Sequence, residues 1–487
     1  METMTGLDAK FLYSDTPTAH MHTVKVAVSD VSAIDGGFSY DTLVEVLRQL
    51  LVQLPPFRRR VVPVPFGLGH PVWIEDPEFD LERHVGRREL ARPGSIRQLA
   101  SEVAEFAGRP LARDRPLWEL VVVEGLAGGR IAVVVKIHHA VADGTAAVAL
   151  LRNVVRSATV EPSPEAVTDP WHPEPVPTPR RLLASAAHDH VVRLQGLPHL
   201  VAQSVQRIGA SERRRRSFDT KPPLPLHHVP RTSFNVSLTA ERTFAMTDLP
   251  MTELKAIRRA VGTTLNDVYL SVCAGALRHY LADRGELPAR QLVASVPIST
   301  DPDAARVSGN RVDNLYVGIG TDIADPLRRL LHIRDGTAAS KEVRGLLGTD
   351  FLEQRAEVVP PQIYRSVVRL WSRSHLADRV HPPLNVVLSN VAGPAERISF
   401  GPVTLDSLYS VGPILEGIGL NITAWSYEGA LGVSVLACPV SVPDPWQIID
   451  ALHASFDELR DAVGQTGGVA EAAQPPQPPS SADASLR

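Results

Sequence analysis

The stretch IAVVVKIHHAVADGTAA, residues 131–147, decides the fold. From Ile131 to Ile137 the residues are apolar and mostly β-branched, with Lys136 the single interruption, so the run reads as a nearly continuous buried strand. It runs into two histidines, a short link and Asp143-Gly144. Strand alternation sends Val135, Ile137 and His139 one way and Lys136 and His138 the other, so the two histidines cannot share a role. His139 is delivered to the mouth of a core. Asp143, four residues on, can fix the tight turn and the start of the next helix, and Gly144 allows a sharp bend or close backbone approach. An imidazole with an unperturbed pKa near 6.5 suits taking a proton from a hydroxyl and returning it to a leaving group. The plainer alternative is a pair of buried histidines followed by a helix N-cap.

Working outward, residues 1–157 alternate strand-like and helical stretches: TVKVAV at 23–28, LVEVLRQLLVQL at 43–54, LASEVAEFAG at 99–108, then the 131–147 block. Spaced prolines between Glu161 and Pro179 deny regular structure and favour an extended connector. Apolar residues return at helical spacing from 180 to 210, with a break expected near Gly196 and Pro198, and the segment ends in Arg213–Arg216. A second region with both helices and strands covers 231–465, and a Pro-rich tail, 466–487, reads as disordered. By pattern the chain is mixed α and β in two halves, with 158–230 as connector and basic helical segment.

The 487 residues are 44% hydrophobic and 21% charged, a globular balance that excludes rods and wholesale disorder. A formal charge of -4 gives no global field for nucleic acid. The two cysteines, Cys273 and Cys438, have no CxxC partner, which argues against a zinc module or disulfide framework and fits a reducing cytoplasm. No metal site is expected, and neither a secretory signal nor a spanning segment is read. A GxxxxGK[ST] loop, a complete dinucleotide fingerprint, a serine elbow and HExxH are all missing.

HHxxxDG at a strand-to-helix junction resembles the active-site motif of the CoA-dependent acyltransferases. LDAKFLYSDTPTAHMHT at 7–23, FRRRVVPVPFGLGHPVWIEDPEFDLERHV at 57–85, RPLWEL at 115–120, TLNDVYLSVCAGALRHYL at 264–281, GNRVDNLYV at 309–317, NVVLSNVAGP at 385–394 and GLNITAWSYEGAL at 419–431 are similar to the bacterial wax ester synthase/acyl-CoA:diacylglycerol acyltransferases. The resemblance spans residues 1 to about 463 in order. The DFGWG of plant HxxxD acyltransferases is missing, and peptide-synthetase condensation domains share HHxxxDG but neither the PLW nor this Asn-Asp block. Two departures stand out: Ala392 where the family often has proline, and no Ser-Pro before Asp8.

The resemblance implies the fold class α/β (α+β two-layer sandwiches), as two facing chloramphenicol-acetyltransferase-like domains with a tunnel by which acyl-CoA and acceptor approach from opposite sides. It implies His139 as general base, with His138, Asp143 and Gly144 supporting the loop; Gly144 N–H is a candidate oxyanion donor. Pro116, Leu117 and Trp118 match the family's PLW, and Trp118 reads either as a core aromatic or as a substrate contact. Asn266 and Asp267 read either as a helix cap or as a hold on the domain interface. The function implied is transfer of a long-chain acyl group from acyl-CoA to diacylglycerol, acyl-CoA being substrate and no cofactor being needed. Fatty alcohols or another hydroxylated lipid are the alternative acceptors, and a catalytically weak lipid-binding scaffold is the non-enzymatic alternative. Eight arginines against Asp189 and Glu212 give residues 180–216 a formal +6. That segment either docks a cytoplasmic protein on the inner membrane face or a lipid droplet, or packs across both domains with a solvated basic end.

Overall fold

The computed structural model describes residues 1–487 apart from 33, 35–37, 53, 145, 151–172, 174, 219–220, 225–228, 301–305, 349–350, 395–396, 401–402 and 473–487. In chain order the strands are β1 (Glu2–Thr3), β2 (His22–Asp30), β3 (Arg59–Val62), β4 (Val72–Glu75), β5 (Val85–Glu89), β6 (Trp118–Leu126), β7 (Arg130–His138), β8 (Thr243–Pro250), β9 (Val293–Ser299), β10 (Val312–Gly318), β11 (Val386–Val391), β12 (Ser399–Phe400), β13 (Val403–Thr404), β14 (Ser407–Val411), β15 (Leu420–Tyr427) and β16 (Ala430–Ala437). The helices of the first half are α1 (Gly6–Ser14), α2 (Tyr40–Val52) and α3 (Ile96–Gly108), joined by a helix that starts at Gly144.

The valine-rich run becomes β7, the middle strand of a five-stranded sheet ordered β14-β2-β7-β6-β5. It pairs antiparallel with β2, His22 opposite His138, and with β6, Trp118 opposite Ile137. Both faces are covered, as a near-continuous apolar strand requires. On one, Leu99, Val103 and Phe106 of α3 meet Val24, Val26, Val121 and Val134. On the other, Leu51, Leu54, Ala146 and Leu150 gather around Leu120, Val122 and Ile137. Each such side chain contributes roughly 1.5–3 kcal/mol when fully buried. Lys136, fully buried on the α3 face, is satisfied: its ammonium donates to the carbonyls of Phe106 (3.0 Å) and Arg109 (2.9 Å) at the end of α3 and pairs with Glu119 (3.2 Å).

The second half carries a six-stranded sheet, β10-β9-β11-β15-β16-β8. The Leu265–Asp283 and Trp446–Ala472 helices cover it, burying Val268, Leu277, Leu452 and Phe456 against Val386, Leu388, Ile422 and Val433. Strand β14 leaves this half and pairs with β2 of the first sheet, Ser407 opposite Val28 and Val411 opposite Val24. The expected boundary at 231 therefore does not separate the two sheets. Left alone, that edge of β2 would present unpaired backbone groups, and the borrowed strand removes them.

Two other expectations change. The break near Gly196 and Pro198 is absent: one helix runs Pro179–Arg216 through Pro198. It is anchored at both ends. Leu182 and Ala186 pack on Val64, Val72 and Ile74, while Ser211 donates to Val343 O (3.0 Å) and Arg214 pairs with Glu342 (2.6 Å) on the Pro326–Gly345 helix. Tertiary contact at each end outweighs the one backbone bond that proline removes. The disordered tail does not begin at 466, because the last helix continues to Ala472, short of the first proline at 475. The remainder of that tail, and the connector as far as 172, lie outside the described residues. No helix among the described residues is long and apolar enough to cross a membrane.

Candidate active site

His139 directly follows β7, its N–H donating to Met21 O at 2.7 Å. Its ring lies flat on Phe11 of α1, centroids 4.1 Å apart and planes 11° off parallel. Nδ1 is 2.9 Å from Oδ1 of Asn310. The amide of Asn310 is oriented by its other end, where Nδ2 donates to Asp8 Oδ1 and to the carbonyl of His139 itself, both at 2.7 Å. With Oδ1 thus turned to the ring, Nδ1 carries the proton and donates, which leaves the Nε2 lone pair as the basic position. Burial pushes the imidazole down to about 4, against the opposing pull of the Asp143 charge and the Asn310 bond, so it is neutral at pH 7.

Asp8 is buried near the start of α1, and burial raises its carboxyl to about 6 in spite of bonds from Asn310 and Thr5. Thr5 caps α1, accepting from Asp8 N at 3.1 Å and donating to Asp8 Oδ2 at 2.8 Å. One helix turn therefore presents the Phe11 ring to the imidazole and the Asp8 carboxyl to Asn310.

Asp143 holds the loop. Its Oδ1 accepts from Ala146 N (2.9 Å) as an N-cap, and its Oδ2 accepts from Arg311 N (2.8 Å) and from the Arg306 guanidinium (2.6 Å). Gly309 N–H donates to Val141 O (2.7 Å), and Asp143 N–H to Gly309 O (3.2 Å). The loop after β7 is thus stitched to 306–311 from the other half. Gly144 is the first residue of the following helix, and a Cβ there would stand 3.0 Å from Val391 Cγ2, so the close approach favours glycine.

His138 has a different fate. It is fully buried, its Nδ1 accepts from Ala140 N (3.0 Å), and its Nε2 faces Asp15 Oδ2 (3.3 Å). Both ring nitrogens are engaged, on the face opposite Ile137, in agreement with strand alternation. Trp118 is a core aromatic, buried and stacked on His84 at 4.5 Å with Nε1 donating to Phe57 O (2.7 Å), and it also lines a cavity. Pro116 and Leu117 are packed in the core beside it. Asp267 is a capping residue, accepting from Thr263, Thr264 and Thr337, and Asn266 approaches Asn390 at 3.5 Å; neither touches His139. Asp8, Phe11, Arg306 and Asn310 carry the site without having been picked out from the sequence, although LDAKF and GNRVD contain three of them.

The cavity, about 180 Å³, lies against the same sheet face, with Ile137 in its wall two residues before His139. It is lined by α2 residues such as Leu47 and Leu51, by Trp118, and by Leu408 and Trp425 from the second half. Lys25 is the one charged residue on its wall among the described residues.

Residues 4–269 match the model of the wax ester synthase/diacylglycerol acyltransferase catalytic domain, and residues 308–460 that of the family's C-terminal domain. A Mycobacterium tuberculosis H37Rv protein provisionally named a diacylglycerol O-acyltransferase is 39% identical over 465 residues, covering 95% of this chain and 97% of the relative. A second protein of that strain, similarly named, is 35% identical over 465 residues, covering 95% and 98%. The solved wax ester synthase/diacylglycerol acyltransferase of Marinobacter aquaeolei VT8 superposes with a TM-score of 0.66 at 25% identity, covering 95% of this chain and all (100%) of that one. The first condensation domain of the CDA synthetase shares the fold, with a TM-score of 0.57 at 16% identity over 95% of this chain and 96% of that one. The expected two-domain mixed α and β architecture is the fold of these structures.

Proposed function

The chain belongs to the wax ester synthase/diacylglycerol acyltransferase family, and from that premise we propose that it moves a long-chain acyl group from acyl-CoA to the free hydroxyl of diacylglycerol, forming triacylglycerol. The observation that carries this reading is the neutral His139 imidazole, with Nδ1 donating to Asn310 and Nε2 free to accept a proton. In the reaction, Nε2 takes the acceptor's hydroxyl proton as that oxygen attacks the thioester carbonyl carbon. The tetrahedral intermediate collapses with cleavage of the C–S bond, and the imidazolium returns the proton to the departing CoA thiolate. No acyl-enzyme forms and no cofactor takes part. Gly144, as the first helical residue, has an N–H without an intrahelical partner, which suits it to the oxyanion. Asp143 positions the loop, since its carboxylate is occupied by Arg306, Arg311 N and Ala146 N.

The acceptor is insoluble, so the protein works in the cytoplasm at a lipid surface. The basic run is a weak candidate for that contact, because Arg193 pairs with Glu357 (3.4 Å), Arg214 with Glu342 (2.6 Å), and Arg215 and Arg216 with Glu212 (2.6 and 2.8 Å). The Pro361–Arg373 helix suits it better, with Ile363, Val367 and Leu370 exposed on one stripe beside exposed Arg369 and Arg373.

The test is purified protein with radiolabelled palmitoyl-CoA and a panel of diacylglycerol, monoacylglycerol and hexadecanol, alongside His139→Ala. Triacylglycerol formation that His139→Ala abolishes supports the reading. Preference for hexadecanol would make the protein a wax ester synthase, ester formation at the parent rate by a folded His139→Ala would remove the general base, and no ester from any acceptor would favour a lipid-binding scaffold.

A further inference from the structure

The cavity next to His139 has one feature that an aliphatic chain alone does not explain. Its lining is apolar apart from Lys25 and Ser29, and Lys25 is half-buried on its wall. The ammonium lies 5.3 Å from the ring centroid of Trp425. Among the described residues no carboxylate, carbonyl or hydroxyl is bonded to it, unlike Lys136, which holds two carbonyls and Glu119. Trp425, on the same wall and 1% exposed, has its indole Nε1 buried without a hydrogen-bond partner. One cationic donor thus borders an apolar chamber whose lining holds no carboxylate among the described residues. A cation against apolar walls is costly, and desolvation draws Lys25 down to about 7, so an anion would restore the protonated form.

We propose that this cavity is a binding site for a long-chain carboxylate, the chain lying against α2 and the sheet and the carboxylate accepting from Lys25 Nζ. The geometry fits an aliphatic carboxylate better than an alcohol or an ester, which have no charge to offer the ammonium. A free fatty acid and an acyl chain with a carboxyl at its far end share this chemistry.

Equilibrium dialysis of the full chain at pH 6.5 with radiolabelled laurate and 1-dodecanol tests it. The parent should bind laurate at least tenfold more tightly than dodecanol. Lys25→Met, which keeps length and removes charge, should bring the two within about twofold, and Lys25→Arg should retain the preference. Equal affinities in the parent, or an unchanged preference in a folded Lys25→Met, would overturn the proposal. A reading that needs no variant comes from carboxyl-¹³C laurate bound to the parent. Its carboxylate should stay ionised below pH 5, and a midpoint equal to that of the free acid would also overturn the assignment. Thiol-release assays separate the two sources, on the premise of acyl transfer that the binding arms do not need. Competitive inhibition by laurate against lauroyl-CoA points to the free acid, and preference for an ω-carboxylated acyl-CoA points to the far end of a donor chain.

Discussion

Asn310→Ala is the most informative change near the proposed base, His139. The side chain is 6% exposed and makes three bonds, to His139 Nδ1 (2.9 Å), His139 O (2.7 Å) and Asp8 Oδ1 (2.7 Å). Two are neutral and worth about 1 kcal/mol each, and the third, to a carboxylate, about 1.5–3 kcal/mol, part of which Asp8 recovers by taking a proton. The expected loss of stability is about 3 kcal/mol. The catalytic loss has a separate origin. Without an acceptor at Nδ1 the imidazole can place its proton on Nε2 and turn on Phe11, which lowers the population of the competent tautomer and orientation. A loss of about 1.4–2.7 kcal/mol in transition-state stabilisation means kcat falls roughly 10- to 100-fold. The assay is CoA thiol release with saturating acceptor, next to urea unfolding. Leu315→Ala is the control: Leu315 is 2% exposed on β10, and its truncation costs roughly 2–5 kcal/mol without touching the imidazole. Asn310→Asp adds a second reading, since a carboxylate at Nδ1 should move the acid limb of kcat/KM to higher pH. If a folded Asn310→Ala keeps kcat within threefold, or Leu315→Ala loses as much, Asn310 does not set the base.

With His139 depressed to about 4, the parent's kcat/KM should hold between pH 8 and 6, where a base of ordinary pKa near 6.5 would retain only about a quarter at pH 6. A limb near 6 that vanishes in Asp8→Asn belongs to Asp8, and one at 6.5 that survives it contradicts the buried imidazole. The same shift bears on stability. Between pH 6.5 and 4 the unfolded chain binds the His139 proton that the folded one refuses, so this group's contribution, up to about 3 kcal/mol, is present above 6.5 and lost as pH falls toward 4. Urea midpoints of the parent and His139→Gln over that range check it, the parent losing more. Asp143→Ala leaves Arg306 beside an apolar gap and should cost about 3–5 kcal/mol, with activity falling as the folded fraction falls; a fully stable but inactive variant would give Asp143 a chemical part. Asp267→Ala removes a cap and the bond from Thr337, so it should cost about 2 kcal/mol and leave kcat unchanged once folded, as thiol release with thermal unfolding would show.

What the sequence revealed and what it hid divide by range of interaction. The strand, the opposite facing of His138 and His139, and the cap at Asp143 depend on neighbours a few positions away, and period-two alternation is enough to read them. Asp8 and Phe11 are an intermediate case. Three residues apart on a helix they must share a face, a signal present in LDAKF, but nothing local says which ring that face meets. Asn310 lies 171 positions from His139, and no periodicity joins them. The unbroken helix through Pro198 and the loan of β14 to the first sheet are of the same kind: both depend on contacts made at elements far away in sequence.

That separation has a consequence for how the motif works. HHAVADG supplies an imidazole and a loop, but the loop's carboxylate is neutralised by Arg306, its backbone is sewn to Gly309, and the base's tautomer is chosen by Asn310. All three partners belong to one segment of the second half, 306–310, immediately before β10. The first half contributes Asp8, which orients Asn310, and so reaches its own histidine through a residue of the other half. Charge, backbone and tautomer are therefore completed by one docking event, and a fault in the β9 to β10 connection would disturb all three. The proposed base is thus assembled from both halves, and the seven-residue motif is the part of it that the first half encodes.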